Sequence, residues 1–282
     1  MQTREAFGAM ADKKLKLGVM MHLRDDPEGA IKKVAEVGVP TAQLGWPPNM
    51  SVEEGVRVKA LADDHGVEIT TLWATLPGLH VWDFIEGPTS IGLVPEAWRA
   101  ERVQALEQAA RCAAEMGVES ITTHCGFIPE YPGDPLYQGT IVALKQVMGT
   151  CDALGVEFWF ETGQETPITL LHTIQDVGSE NMGINLDPSN LRMYGKANPV
   201  DALDTFGEWV RGVHAKDGEY PTDGNSLGKE KPLGEGKVNF PVLVPKLKDY
   251  GFTGALTIER EISGEKQIED IQKGIELLTP LL

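Results

Sequence analysis

The sequence predicts one α/β domain folded as a single (β/α)8 TIM barrel. A helical stretch, a glycine, an apolar residue and a short β-rich run recur along the chain, and eight such runs alternate with helical patterns. Strands that alternate with helices are typical of a parallel sheet, and eight repeats are enough to close that sheet. The length of 282 residues is also normal for one barrel of this kind.

The recurring unit is clearest where a glycine separates a helical pattern from an apolar run. The five segments are EVGVPTAQL at Gly38, DHGVEITTL at Gly66, EMGVESITTH at Gly117, ALGVEFWFE at Gly155 and DYGFTGALTIE at Gly251. Glycine suits the position just after a helix, where the backbone turns left-handed. A largely apolar run after it is typical of a parallel strand that is buried on both faces.

The element pattern can be written out strand by strand. We predict strands over residues 15–22, 40–45, 67–73, 119–124, 156–161, 183–187, 211–215 and 255–259. Two helix starts are also visible, because Asp26 precedes Pro27 and because Ser51 and Glu54 have the spacing of a capping box. An open doubly wound sheet is the alternative architecture, but it usually has fewer repeats, and the sequence holds no glycine-rich nucleotide-binding motif.

The domain organisation follows from the absence of a linker in the sequence. Residues 15–282 are predicted to form the barrel domain, and residues 1–14 are predicted to be a loose N-terminal tail. The tail has no continuous apolar stretch, so it does not resemble a signal peptide. Residues 75–96 form an unusually long connection after the third strand. We expect this loop to cover the barrel mouth, as long loops in compact domains often do; a surface excursion without a functional role is the alternative.

Charge and cysteine content exclude several classes of partner. The net charge of −17 disfavours binding to nucleic acid and to anionic lipid. No apolar run is long enough to span a membrane. The three cysteines are Cys112, Cys125 and Cys151, and none forms a CxxC pair. We therefore expect no disulfide framework, no cysteine-rich zinc site and a cytoplasmic location.

Polar residues stand where four of the later strands end. Glu161, Asp187, His214 and Glu259 each follow an apolar residue at the carboxyl end of a predicted strand. Because side chains alternate along a strand, each of these residues is predicted to point into the barrel. Catalytic residues of TIM barrels lie at this end, so the four are expected to share one mouth.

Three carboxylates and one imidazole at one mouth need compensating charge, because close like charges raise one another's pKa. A divalent cation supplies it, and Glu161, Asp187, His214 and Glu259 are the predicted metal ligands. Oxygen and nitrogen donors favour Mn²⁺, with Mg²⁺, Co²⁺ or Zn²⁺ as alternatives. The other interpretation of each residue alone is a solvated loop residue or a helix cap.

Two further residues are candidates for contact with a substrate. Lys216 lies two positions after His214 and is therefore predicted to face inward as well; an ion pair with a neighbouring carboxylate is the alternative. His124 ends the fourth strand, where it either contacts a substrate or is a hydrogen-bonded histidine at the rim of the core. Trp46, Trp73 and Trp82 are candidates for an apolar wall, with core packing as the alternative.

These segments resemble the sugar phosphate isomerase/epimerase family of the xylose isomerase-like TIM barrel superfamily. The resemblance rests on ETGQE from Glu161, NLDPSN around Asp187, HAKDG around His214, PLGEG at 232–236 and TIERE around Glu259. It implies the same four metal ligands. In the ketose 3-epimerase branch, it also implies that Glu161 and Glu259 are the acid and the base. That branch has a His and an Arg where this chain has Asn190 and Tyr220.

The predicted function is a divalent-metal-dependent isomerase or epimerase of a sugar or a related polyhydroxy carbonyl compound. Glu161 and Glu259 would exchange protons with a metal-stabilised enediolate. One alternative is a lyase or dehydratase acting on a keto-inositol or keto-sugar. An endonuclease IV-like nuclease is disfavoured by the acidic charge and by the six histidines, and a non-catalytic binding barrel is disfavoured by the four ligands. The expected partner is a small sugar-like molecule, and a homo-oligomer is compatible with the sequence.

Overall fold

The computed structural model describes residues 14–23 and 26–282. The tail predicted over residues 1–14 lies outside the described residues, apart from Lys14. Within the described residues, no helix combines the length and the apolar character needed to cross a membrane.

Eight parallel strands close into a barrel with helices around it, which confirms the predicted fold. The barrel strands are β1 (Lys16–His22), β2 (Thr41–Trp46), β3 (Glu68–Ala74), β4 (Ser120–Thr123), β5 (Glu157–Glu161), β6 (Met182–Leu186), β7 (Val210–Ala215) and β10 (Ala255–Ile258). Two short strands, β8 (Asp217–Gly218) and β9 (Glu230–Lys231), pair antiparallel outside the barrel. Every predicted barrel strand lies within one residue of the observed bounds, and pairing of β1 with β10 closes the sheet.

Helices separate the strands and cover the outside of the barrel. They are α1 (Pro27–Val37), α2 (Val52–Asp64), α3 (Gly87–Ser90), α4 (Glu96–Met116), α5 (Pro135–Leu154), α6 (Pro167–Val177), α7 (Pro188–Met193), α8 (Pro199–Phe206), α9 (Phe240–Asp249) and α10 (Glu265–Leu278). Asp26 accepts a hydrogen bond from the amide of Gly29, and Ser51 forms a capping box with Glu54, so both predicted helix starts are confirmed. Gly155 ends α5 with a φ of 68°, a left-handed conformation that side chains disfavour.

The apolar core fills the layer between the barrel and its helices. Ile31 of α1, Leu106 of α4 and Leu144 of α5 are completely buried there, against strand residues such as Leu44 and Ile121. This layer is the main source of burial energy, at about 25 cal/mol per Å² of apolar surface removed from water. The three cysteines are free thiols and are all buried. The barrel thus provides a rigid frame at whose carboxyl end the polar strand-end residues lie.

Candidate metal centre

The four strand-end side chains converge at the carboxyl end of the barrel. Glu161 is the last residue of β5, Asp187 follows β6, His214 lies near the end of β7 and Glu259 follows β10. One ligand atom from each lies within 4.8 Å of the corresponding atoms of the other three. The side chains of Glu161, Asp187 and His214 are at most 1% exposed, and that of Glu259 is 13% exposed. The period-two alternation therefore brings these side chains together, as the sequence predicts.

Local structure orients each group in this cluster. Asp187 is the N-cap of α7, and its Oδ1 accepts a hydrogen bond of 2.8 Å from the amide of Asn190, which leaves Oδ2 facing the cluster. The Nδ1 atom of His214 lies 2.8 Å from Oε1 of Glu161 and 3.3 Å from Oε2 of Glu259. The amide of Glu259 donates to the carbonyl of Ala215, which holds the end of β10 beside β7.

Two buried atoms of the cluster have no aligned hydrogen-bond partner. They are His214 Nδ1 and Asp187 Oδ2. The carboxylates near His214 Nδ1 are close enough for a hydrogen bond but are not aligned for one. Buried polar atoms are seldom left unpaired. These two atoms lie close to the carboxylates of Glu161 and Glu259, so a bound cation would give all four groups a partner. Three carboxylates and an imidazole can hold a divalent ion such as Mn²⁺, Mg²⁺, Co²⁺ or Zn²⁺.

The electrostatics of the cluster are dominated by burial and by close charges. Burial raises the pKa of the Asp187 carboxyl to about 8. Burial alone would lower the pKa of His214, but attraction to Glu161 and Glu259 outweighs it and raises that pKa well above its usual value. For Glu259, burial is outweighed by Lys216 and His214, which hold its pKa well below the usual range. When no ion is bound, protons and Lys216 therefore balance the carboxylates.

Lys216 reaches the same cluster and is already surrounded by carboxylates. Its Nζ lies 3.6 Å from Oδ2 of Asp187, 3.2 Å from Oε2 of Glu259 and 2.9 Å from Oε1 of Glu261. Its side chain is only 2% exposed, yet it lines the pocket. The alternative of ion pairing is therefore present in the structure, and it coexists with a position at the pocket surface.

A pocket of about 260 Å³ lies over the cluster, and aromatic side chains form much of its wall. His124 lines it, with ring centroids 6.0 Å from Trp73 and 5.3 Å from Trp82, both edge-on. Burial lowers the pKa of His124, and its Nδ1 has no hydrogen-bond partner. Trp73 and Trp82 contribute to this wall, whereas Trp46 is 1% exposed and belongs to the apolar core.

The loop 75–96 lies at this mouth, which confirms its expected position. Trp82 from the loop lines the same pocket as Glu259. The loop is fixed from below by the buried Arg102 of α4, which donates to the carbonyls of Pro77, Leu79 and Gly92 at 2.7–3.0 Å. Three hydrogen bonds from one buried cation favour a fixed cover over a freely moving one.

The insertion that follows His214 is fixed by a single carboxylate. Asp217 accepts hydrogen bonds from the amides of Gly218, Gly234, Gly236 and Val238 at 2.8–3.1 Å. The glycine-rich PLGEG segment therefore closes as a turn around Asp217, and that carboxylate already accepts from the amides of Gly234 and Gly236. The turn keeps the insertion beside Lys216 and the site.

The structure also locates the two positions at which the chain departs from the ketose 3-epimerase pattern. Asn190 lines the pocket. Tyr220 is 56% exposed and donates to the carbonyl of Gly195, so it does not line the pocket. Asn190 thus keeps a polar side chain at the site, whereas Tyr220 forms a hydrogen bond outside the pocket.

Sequence reasoning did not single out three side chains that complete the site. Glu261 contacts Lys216 at the pocket rim. Because it lies two residues after Glu259, alternation along the chain could have predicted that it faces the same side. Asn185 lies two residues before Asp187 on the same face of β6, so the same rule could have found it. Gln43 had only a weak signal, as a lone amide in the apolar strand β2.

Comparisons with known proteins agree with this fold. A solved xylose isomerase domain protein from Planctomyces limnophilus is 31% identical, with 95% of this chain and 97% of that chain covered and a TM-score of 0.89. A D-tagatose 3-epimerase-like protein is 23% identical, with 95% and 97% covered and a TM-score of 0.71. Sugar epimerases and a dehydratase at 16–18% identity share the fold.

Sequence comparison leads to the same group of proteins. An uncharacterized protein of Methanocaldococcus jannaschii is 27% identical over 198 residues, which is 66% of this chain and 64%, or less than two thirds, of that relative. The family model described as a xylose isomerase-like TIM barrel matches residues 31–281. With nearly the whole barrel matched, the chain belongs to the xylose isomerase-like TIM barrel family.

Proposed function

We propose that this protein is a divalent-metal-dependent isomerase or epimerase of a sugar or a related polyhydroxy carbonyl compound. The observation that carries the proposal is the buried cluster of Glu161, Asp187, His214 and Glu259 at the base of the aromatic-walled pocket. Sugar epimerases share this fold at low identity, which supports the reaction class without assigning it.

The four residues would hold the ion, and the ion, when bound, supplies positive charge that acidifies a C–H bond beside a substrate carbonyl. Glu259 lines the pocket, where its carboxylate would accept that proton. Glu161 lies on another strand, lines the same pocket and would return a proton to the neighbouring carbon or to the opposite face. His124 and Lys216 would contact substrate oxygens.

The pocket favours a small substrate without a phosphate group. Its volume of about 260 Å³ lies below the roughly 300–1,000 Å³ of sites for drug-sized ligands. Among the described residues that line it, Lys216 is the one Lys or Arg, and three carboxylates already surround it. A phosphate dianion would therefore meet excess negative charge, whereas hydroxyl groups can bind carboxylates and aromatic edges.

Exchange of substrate protons with solvent tests this function. Incubation with Mn²⁺ in D₂O and a panel of ketoses, keto-inositols and 3-keto-glycosides should place deuterium beside the carbonyl of the substrate or product. An isomerase or epimerase returns labelled material of unchanged composition, whereas a dehydrated product would instead identify a lyase. Conversion of a substrate with no label at any carbon, unaffected by Glu161→Gln and Glu259→Gln with the ion still bound, would refute proton transfer by these residues.

A further inference from the structure

We propose that Gln43 and Asn185 form a hydrogen-bonded relay that orients His214 and Glu161 and directs the Nδ1 lone pair of His214 toward the ligand cluster. The relay consists of His214, Gln43, Asn185 and Glu161, in that order. This inference rests on the proposed function insofar as it treats His214 and Glu161 as ligands. Gln43 and Asn185 are positioning residues, since they act through the two ligands.

The relay crosses the interior of the barrel without a break. Nε2 of His214 lies 2.7 Å from Oε1 of Gln43, and Nε2 of Gln43 donates to Oδ1 of Asn185 at 2.9 Å. Nδ2 of Asn185 then donates to Oε2 of Glu161. All four side chains are at most 1% exposed, so these hydrogen bonds are shielded from bulk water.

The carboxylate at one end determines the direction of every hydrogen bond. A carboxylate only accepts, so Asn185 must present its amide nitrogen to Glu161 and its oxygen to Gln43. Gln43 then donates to Asn185 and presents its own oxygen to His214. That oxygen also only accepts, so Nε2 of His214 carries a proton. The reverse direction would place an amide oxygen against the Glu161 carboxylate, which is repulsive.

The consequence falls on the other ring nitrogen. With a proton held on Nε2, the lone pair of neutral His214 belongs to Nδ1, the atom that lies 2.8 Å from Glu161 and 3.3 Å from Glu259. Metal-bound histidines characteristically donate from their second nitrogen to an acceptor that fixes the ring. Gln43 is such an acceptor here, and Asn185 extends the same constraint to Glu161.

A glycine leaves the space that the relay fills. Gly212 lies two residues before His214 in β7, and a Cβ there would come within 2.4 Å of Oδ1 of Asn185 and 3.3 Å of Nε2 of Gln43. Any side chain at this position would press on the central hydrogen bond of the relay. Gly212→Ala is therefore a second way to disturb the relay, and it removes none of its members.

The first test reads the histidine directly and needs no metal ion. The protein is labelled with ¹⁵N-histidine, treated with chelator and studied by NMR. The signals of the His214 ring nitrogens are identified because they are missing from the spectrum of His214→Gln. We expect Nε2 to be the nitrogen that keeps its proton in the wild type when the pH is raised until the ring is neutral, and this preference for Nε2 to be lost in Gln43→Met. A wild-type Nε2 without a proton would overturn the relay, whatever the fate of the proposed function.

The second test measures ion binding. Gln43→Met and Gly212→Ala should weaken Mn²⁺ binding by about 10- to 100-fold, as loss of outer-shell partners typically does. Thr41→Val is the matched control, because it removes one buried hydrogen bond, to the carbonyl of Leu17, from the same strand as Gln43. Its Mn²⁺ affinity should equal that of the wild type.

The outcomes separate the relay from the function. A wild type that binds no ion would refute the proposed function, and the Nε2 measurement would still decide the relay. A wild type that binds Mn²⁺ no more tightly than Gln43→Met does would leave the metal site standing and overturn the positioning role.

Discussion

The two ends of the barrel carry charged residues in opposite settings. At the amino end, a cavity of about 970 Å³ has among its lining residues Lys16 and Glu68, which form an ion pair and are each about half exposed. At the carboxyl end, the pocket is about 260 Å³, and the charged groups beneath it are buried. Within the part of the chain that the structure describes, the larger cavity therefore lacks the buried cluster of ionisable groups that lies beneath the smaller one.

Desolvation explains this difference. Water screens the exposed charges of the amino end, whereas the buried groups of the carboxyl end interact strongly and shift one another's pKa. Burial raises the pKa of Asp187 to about 8, while close cations hold the pKa of Glu259 well below its usual range. Chemistry is therefore expected where ionisable groups are buried together, and cavity size alone is a poor guide to a site.

The largest effect is expected on the rate of substrate proton exchange, when one glutamate at each end of the barrel is replaced in turn. Glu259→Gln should lower substrate proton exchange by about 10²- to 10⁴-fold, because a positioned acid or base contributes that much. Glu157→Gln at the amino end, where the carboxylate accepts from Nε1 of Trp159, should leave the rate unchanged. The rates are compared at equal ion content. Equal losses from the two changes would remove the distinction between the ends.

The second prediction concerns ion binding and pH. The close carboxylates raise the pKa of His214, so before an ion binds a proton occupies the cluster at neutral pH. Ion and proton compete, so Mn²⁺ affinity should fall as the pH is lowered, by about tenfold per unit for each proton displaced. Binding isotherms between about pH 6 and 8 check this, and proton release on binding should accompany it. A flat profile would contradict the expectation.

A smaller effect is expected from the structural carboxylate of the carboxyl end. Asp217→Asn should lower the free energy of unfolding by about 1–3 kcal/mol, because backbone amides now held by Asp217 would lose a buried acceptor. Thermal and denaturant unfolding measure this cost. If stability is unchanged, the turn around residues 232–238 does not depend on Asp217.

The smallest effect is expected at the amino end. Lys16→Met removes an exposed ion pair with Glu68, and such pairs contribute at most about 1 kcal/mol. Unfolding at low and at high salt should show this small difference, and it should shrink as salt is added. A loss as large as that of Asp217→Asn would show that charges at the open end stabilise the fold as strongly as buried ones.

The sequence alone determined the elements and the ends of the strands. Glycine and N-cap signals are local, and alternation along a strand has a fixed period, so the eight strands and the inward direction of Glu161 and His214 could be predicted. The same rule could have found Asn185. No sequence signal linked Gln43 to His214, since they are 171 residues apart.

Only the tertiary structure decided which side chains meet across the barrel. Closure of the sheet brings Gln43, Asn185 and His214 into one buried hydrogen-bonded relay, and Gly212 leaves the space for it. The same closure surrounds Lys216 with three carboxylates and places loop 75–96 over the pocket. Local rules act over a few residues, whereas hydrogen bonds and desolvation depend on distances in space that only the folded barrel sets.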